Sequence, residues 1–83
     1  KSGVGYVDFI FYPVNRDADG IILELKVDHS PDEAIRQIKD KKYILRFTGK
    51  LGEERKCAGR ILAVGISYNK KQKKHACKVE VLN

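Results

Sequence analysis

The chain has no tryptophan, no methionine, and only two cysteines and two prolines among 83 residues. The cysteines, Cys57 and Cys77, are distant in sequence and neither lies in a C-x-x-C pair. That argues against a zinc ribbon or a disulfide-rich scaffold and fits a reducing compartment, the cytoplasm. A single bridge between the two stays open on spacing alone. No apolar run approaches the roughly 18 residues of a membrane span, so no membrane is expected as a partner. No secretory leader is visible. There is no Gly-rich phosphate loop, no H-E-x-x-H and no Ser/His/Asp arrangement, which argues against three common catalytic designs. Internal repeats and low-complexity tracts are also missing. The chain does not begin with methionine, as expected of a segment from a longer polypeptide. Acidic residues are in deficit: 17 Lys and Arg face 11 Asp and Glu, a net charge of +6. This balance favours polyanionic partners such as nucleic acid. Many small soluble domains are equally basic, so charge alone decides little.

What the chain does have is a strongly apolar, β-branched stretch, Ile21-Ile22-Leu23-Glu24-Leu25-Lys26-Val27, which reads as a buried strand. Glu24 and Lys26 interrupt it two residues apart and therefore point to the same face. Burying charge is costly unless the charge is paired or holds a metal. An earlier strand over residues 4–12 is apolar except for Asp8, and a polar Pro/Asn/Asp/Gly loop over 13–20 joins the two as a hairpin. With Tyr12 paired to Gly20, Asp8 falls opposite Glu24. A slip of two residues puts it opposite Lys26. Either register gathers Asp8, Glu24 and Lys26 on one face, whereas an odd slip separates them.

Ser30 then suits an N-cap, Pro31 the first helical position, and Glu33 a capping box. The helix is expected to reach about Phe47. Ala34, Ile35, Ile38, Ile44 and Leu45 form its apolar arc, with Gln37 at the border and Lys41 one turn on. Tyr43 and Phe47 fall off that arc and suggest a second apolar surface. Residues 48–59 read as a loop, and 60–68 as a strand covered on both faces. A basic turn (69–74) leads to a half-exposed edge strand (75–82). The expected fold is α/β, a mixed sheet in β-β-α-β-β order, with a parallel crossover in the middle.

Asp8, Glu24 and Lys26 on neighbouring strands make a coherent site. Two close carboxylates favour a divalent cation, and hard oxygen ligands suit Mg²⁺ or Mn²⁺. The Leu25 backbone carbonyl could add a third oxygen. A lysine beside such a metal could stabilise the extra charge of a phosphodiester transition state. The plain alternative is a structural ion pair at a solvated sheet face. His29 and His75 are isolated and read as surface residues. Lys39, Lys41, Lys42 and Arg46 could track a phosphate backbone or simply face solvent, and Lys70, Lys71, Lys73 and Lys74 read as a solvated turn.

Three blocks taken together, Gly5-Tyr6-Val7-Asp8-Phe9-Ile10-Phe11, Ile22-Leu23-Glu24-Leu25-Lys26-Val27 and Ala34-Ile35-Arg36-Gln37-Ile38-Lys39-Asp40-Lys41-Lys42-Tyr43, resemble the PD-(D/E)XK nuclease superfamily. They are most similar to the bacterial branch found at the C-terminus of predicted AAA-type ATPase proteins. The strand Leu62-Ala63-Val64-Gly65-Ile66-Ser67-Tyr68 resembles the same branch. The resemblance covers nearly the whole chain, with Val7 where the superfamily name has Pro. It implies a restriction-endonuclease-like core whose first helix and strand are absent here, leaving an edge suited to a homodimer or strand exchange. It further implies Asp8 and Glu24 as metal ligands, Lys26 as the catalytic lysine, and Gln37 as the glutamine of the following helix. Tyr43 matches the aromatic of that motif, and with Lys41 it is a candidate nucleic-acid contact. The implied activity is Mg²⁺-dependent (or Mn²⁺-dependent) hydrolysis of DNA, with an ATPase domain fused in the same polypeptide. Two other readings use the same residues: a nucleic-acid-binding module with a nuclease-like fold and no turnover, and a protein-interaction domain attached to an ATPase.

Overall fold

The computed structural model describes residues 7–15, 17–41, 43–47 and 59–83. Strand β1 (Val7–Phe11) and strand β2 (Gly20–Val27) are followed by helix α1 (Pro31–Asp40), a 3-10 turn (Tyr43–Arg46), strand β3 (Ile61–Asn69) and strand β4 (Lys74–Val81). The sheet order is β1-β2-β3-β4. β1 runs antiparallel to β2, β2 parallel to β3, and β3 antiparallel to β4. The mixed α/β order expected from the sequence is therefore present. The opening part of the first expected strand, residues 4–6, lies outside the described residues, as does most of the expected loop, residues 48–58.

The hairpin takes the register in which Asp8 is paired with Glu24. Its loop is organised by Asn15, whose side-chain oxygen accepts from the backbone N–H groups of Asp17 and Ala18 at 3.0 Å each. Beside it, Asp19 takes the Arg60 guanidinium at 2.9 Å and the Arg60 backbone N–H at 3.0 Å. These contacts bring the starts of β2 and β3 together, where Gly20 N–H donates to the Arg60 carbonyl at 2.8 Å. The Arg60 side chain holds the Asp19 carboxyl below its ordinary range; the Arg60 backbone N–H adds to this and desolvation opposes it. At the C-terminus, Asn83 receives the Ile61 N–H at 2.9 Å and donates to the Gly59 carbonyl at 3.0 Å.

α1 begins as its sequence dictates. The Ser30 hydroxyl accepts the Glu33 N–H at 3.2 Å, and Pro31 occupies the first turn, where a missing donor costs nothing. Only half of the expected capping box forms. The Glu33 carboxylate meets His29 Nδ1 at 2.6 Å instead of reaching back to Ser30.

The helix also stops at Asp40 and does not run to Phe47. The reason is the apolar arc. Continued at 100° per residue, the helix would swing Tyr43 and Phe47 off the core. The 3-10 turn returns them: Phe47 is fully buried, and Tyr43 and Ile44 pack against the core. The Phe47 ring lies 5.3 Å from the Tyr12 ring and fills the space where a Cβ on Gly20 would stand. Phe47 and Tyr43 thus need no second surface.

α1 covers one sheet face. Ile22, Ala34, Ile35, Ile38, Phe47, Ile61 and Ala63 are buried between the layers. Among the described residues β3 is packed on one face only, contrary to the expectation from its apolar run. Its burial alternates, with Ile61, Ala63, Gly65 and Ser67 buried and Leu62, Val64 and Ile66 half-buried. A single helix layer hides only every second residue of a strand. On β4, Lys78 pairs with Asp32 and Glu80 with Lys39, so charges tie this edge strand to α1.

Candidate functional site

The covered face carries the site residues in register. Across β2 and β3, Gly20 pairs with Ile61, Ile22 with Ala63, Glu24 with Gly65, and Lys26 with Ser67. The first two pairs are core. The next two carry polar groups on the same face: Glu24 is 0% exposed, Lys26 5% and Ser67 7%. Both Glu24 carboxylate oxygens lie out of reach of solvent. The sheet face at Glu24 and Lys26 is therefore not solvated, and desolvation of the two charges is expensive there.

Gly65 explains why the helix can approach so closely. A Cβ at Gly65 would lie 2.6 Å from the Pro31 carbonyl oxygen and 2.9 Å from the Ala34 Cβ. Gly65 is the cross-strand partner of Glu24. The first turn of α1 thus sits over the Glu24 level of the sheet, and at position 65 the gap admits no side chain.

Asp8 stands opposite Glu24 on β1. Directly opposed residues of an antiparallel pair share a face and have Cβ atoms about 4.5–5.5 Å apart. The Asp8 side chain lies outside the described residues. Leu25 is paired with Val7 on one side and Ile66 on the other, and its side chain points to the opposite face from Glu24.

Gln37 is half-buried on α1, one turn beyond Ala34. It stands on the helix that packs over the Glu24 face, with its backbone carbonyl taking the Lys41 N–H. Lys41 and Tyr43 are not gathered with the site. α1 runs back along the sheet from the Glu24 level, so that Lys39 reaches Glu80, the cross-strand partner of Ala63. Lys41 and Tyr43 lie beyond that point, and Lys41 Nζ sits 5.6 Å from the centre of the Tyr43 ring. Ser67 joins the site face without having been a sequence candidate. Strand parity is the signal that could have found it: it continues the Ile61, Ala63, Gly65 series onto the face of Lys26.

The donor set fits a hard divalent cation at the level of residue types and register, since two carboxylate positions oppose each other on one face. Among the described residues, no group of three or more His, Cys, Asp or Glu side chains is arranged to hold a metal ion. Among them, too, no helix is long and apolar enough to cross a membrane. No family model matches the chain, and no curated protein or solved structure matches it.

Proposed function

We propose that this chain carries a Mg²⁺-dependent nuclease site acting on DNA, with Asp8, Glu24, Lys26 and Gln37 as its residues. The supporting observation is the burial of Glu24 and Lys26 on one helix-covered face, with Asp8 paired opposite Glu24. A fold that needed only a core would place apolar residues there, because replacing a buried ion pair by well-packed apolar side chains is often neutral or stabilising. Charges kept at such positions point to a task other than folding.

In this reading Asp8, Glu24 and the Leu25 carbonyl would hold Mg²⁺ or Mn²⁺. When bound, such an ion polarises a phosphate oxygen and lowers the pKa of a coordinated water. Glu24 supplies a carboxylate whose surroundings exclude bulk water, which strengthens its attraction for a cation. Lys26, one pleat repeat along the same face, supplies a positive charge for the extra negative charge that develops on a phosphate under attack. Gln37 would orient a water or phosphate oxygen from the helix side. The same reading carries an ATPase domain in the same polypeptide and pairing of two copies through a sheet edge.

The test is cleavage of single-stranded and duplex DNA by the full-length protein with Mg²⁺, compared with Lys26→Ala. Lys26-dependent cleavage is expected. Folded wild-type protein that binds DNA but cleaves no substrate would leave the binding module as the correct reading.

A further inference from the structure

The turn between β3 and β4 concentrates charge that the site does not use. Asn69-Lys70-Lys71-Gln72-Lys73-Lys74 contains four lysines and no apolar side chain. It is a shaped turn. The Asn69 side-chain oxygen accepts the Gln72 N–H at 2.8 Å, and the Asn69 carbonyl accepts the Lys73 N–H at 2.7 Å. Lys73 adopts φ 56, a left-handed conformation where glycine or asparagine is usual. Asp28 braces the base: its carboxylate accepts the Lys70 N–H at 2.9 Å and lies 3.9 Å from Lys70 Nζ. Lys71, Lys73 and Lys74 are exposed.

The position of the turn relative to the site follows from register. Lys26 is paired with Ser67, three residues before Lys70 on β3. At about 3.3 Å per strand residue the turn stands about 10 Å beyond Lys26, off the carboxyl ends of the two parallel strands. That is the end where open α/β sheets take their ligands. One base pair advances about 3.4 Å, so this offset corresponds to about three base pairs.

We propose that Lys71, Lys73 and Lys74 form a docking tip for the phosphate backbone of a nucleic acid, about three base pairs from the phosphate at Lys26. The offset from a scissile phosphate rests on the nuclease reading; the docking itself does not. A membrane surface fits less well, because the tip has no apolar residue to bury between headgroups.

The experiment compares the full-length protein with the triple variant Lys71→Gln, Lys73→Asn, Lys74→Gln. Asparagine at 73 tolerates the left-handed backbone, and matching circular dichroism confirms the fold. Binding to labelled duplex DNA is measured without divalent metal between about 50 and about 200 mM salt. The slope of log affinity against log salt should become shallower by about 2–3, at about 0.9 for each phosphate no longer neutralised. An unchanged slope overturns the proposal, as does wild-type binding to anionic phospholipid vesicles as tight as to DNA. Lys26→Ala is measured beside it. Cleavage retained by Lys26→Ala refutes the nuclease reading alone, whereas the salt slope of the triple variant judges the tip alone.

Discussion

The two faces of the sheet are built in opposite senses. The face under α1 hides two charges, Glu24 and Lys26, and the hydroxyl of Ser67. The other face, on which nothing among the described residues packs, shows Phe9 at 48%, Phe11 at 51%, Val79 at 55% and Val81 at 46% exposure. A half-exposed sheet normally puts apolar residues in and polar residues out. Here the buried face carries polar positions, and the other face leaves a broad apolar surface in view. Burial of a charge has to be explained by use or by pairing, and exposure of several large apolar side chains by a partner surface. The two faces thus differ in kind: the first buries polar groups, the second exposes apolar ones.

This contrast can be broken most forcefully at its core. Ile38→Ala empties a fully buried position under the helix and should cost about 2–5 kcal/mol. Val79→Ala on the other face should cost within about 0.5 kcal/mol. Urea unfolding of the two variants measures both, and equal losses would mean that the exposed face is packed in solution. Next in size is Gly65→Ala, whose methyl group would strike Pro31 and Ala34. A loss of about 1–3 kcal/mol is expected, with weaker cleavage because the helix is lifted from the Glu24 level.

Glu24→Leu sharpens the distinction between folding and function. Combined with Lys26→Leu, so that no buried charge is left alone, it should leave stability unchanged or higher by about 1 kcal/mol, while cleavage is lost. A large destabilisation instead would make Glu24 a structural residue. The smallest effect is expected at the exposed Asp19–Arg60 pair. Asp19 has a lowered carboxyl pKa, so its stabilisation is complete above the ordinary carboxylate range and is lost as the pH falls through its folded value. Asp19→Asn should therefore lower stability slightly at neutral pH and flatten the acid limb, the two proteins converging at low pH. An identical acid limb in both proteins would contradict the assignment.

Much of this arrangement is legible in the residues. An even pairing sum puts Asp8, Glu24 and Lys26 on one face and an odd sum separates them; the chain takes the even one. Ser30 and Pro31 mark the helix start through local chemistry. The helix end is not legible, since residues 41–47 keep ordinary helix formers and only the pull of the core on Phe47 turns the backbone. The single-sided cover of β3 is hidden for a related reason: an unbroken apolar run does not say which of its faces a helix will take. Gly65 and Ser67 look like interruptions of that run. Only the register across to Glu24 and Lys26 shows that one admits the helix and the other extends the polar row.

In the proposed nuclease site Asp8 and Glu24 share a cation. Isothermal titration of Mn²⁺ into the full-length protein, beside Asp8→Asn and Glu24→Gln, tests this directly. Saturable binding in the wild type, weakened at least about tenfold (about 1.4 kcal/mol) by either substitution, is the predicted result. Binding that survives both substitutions, or no binding by folded wild-type protein, would contradict it.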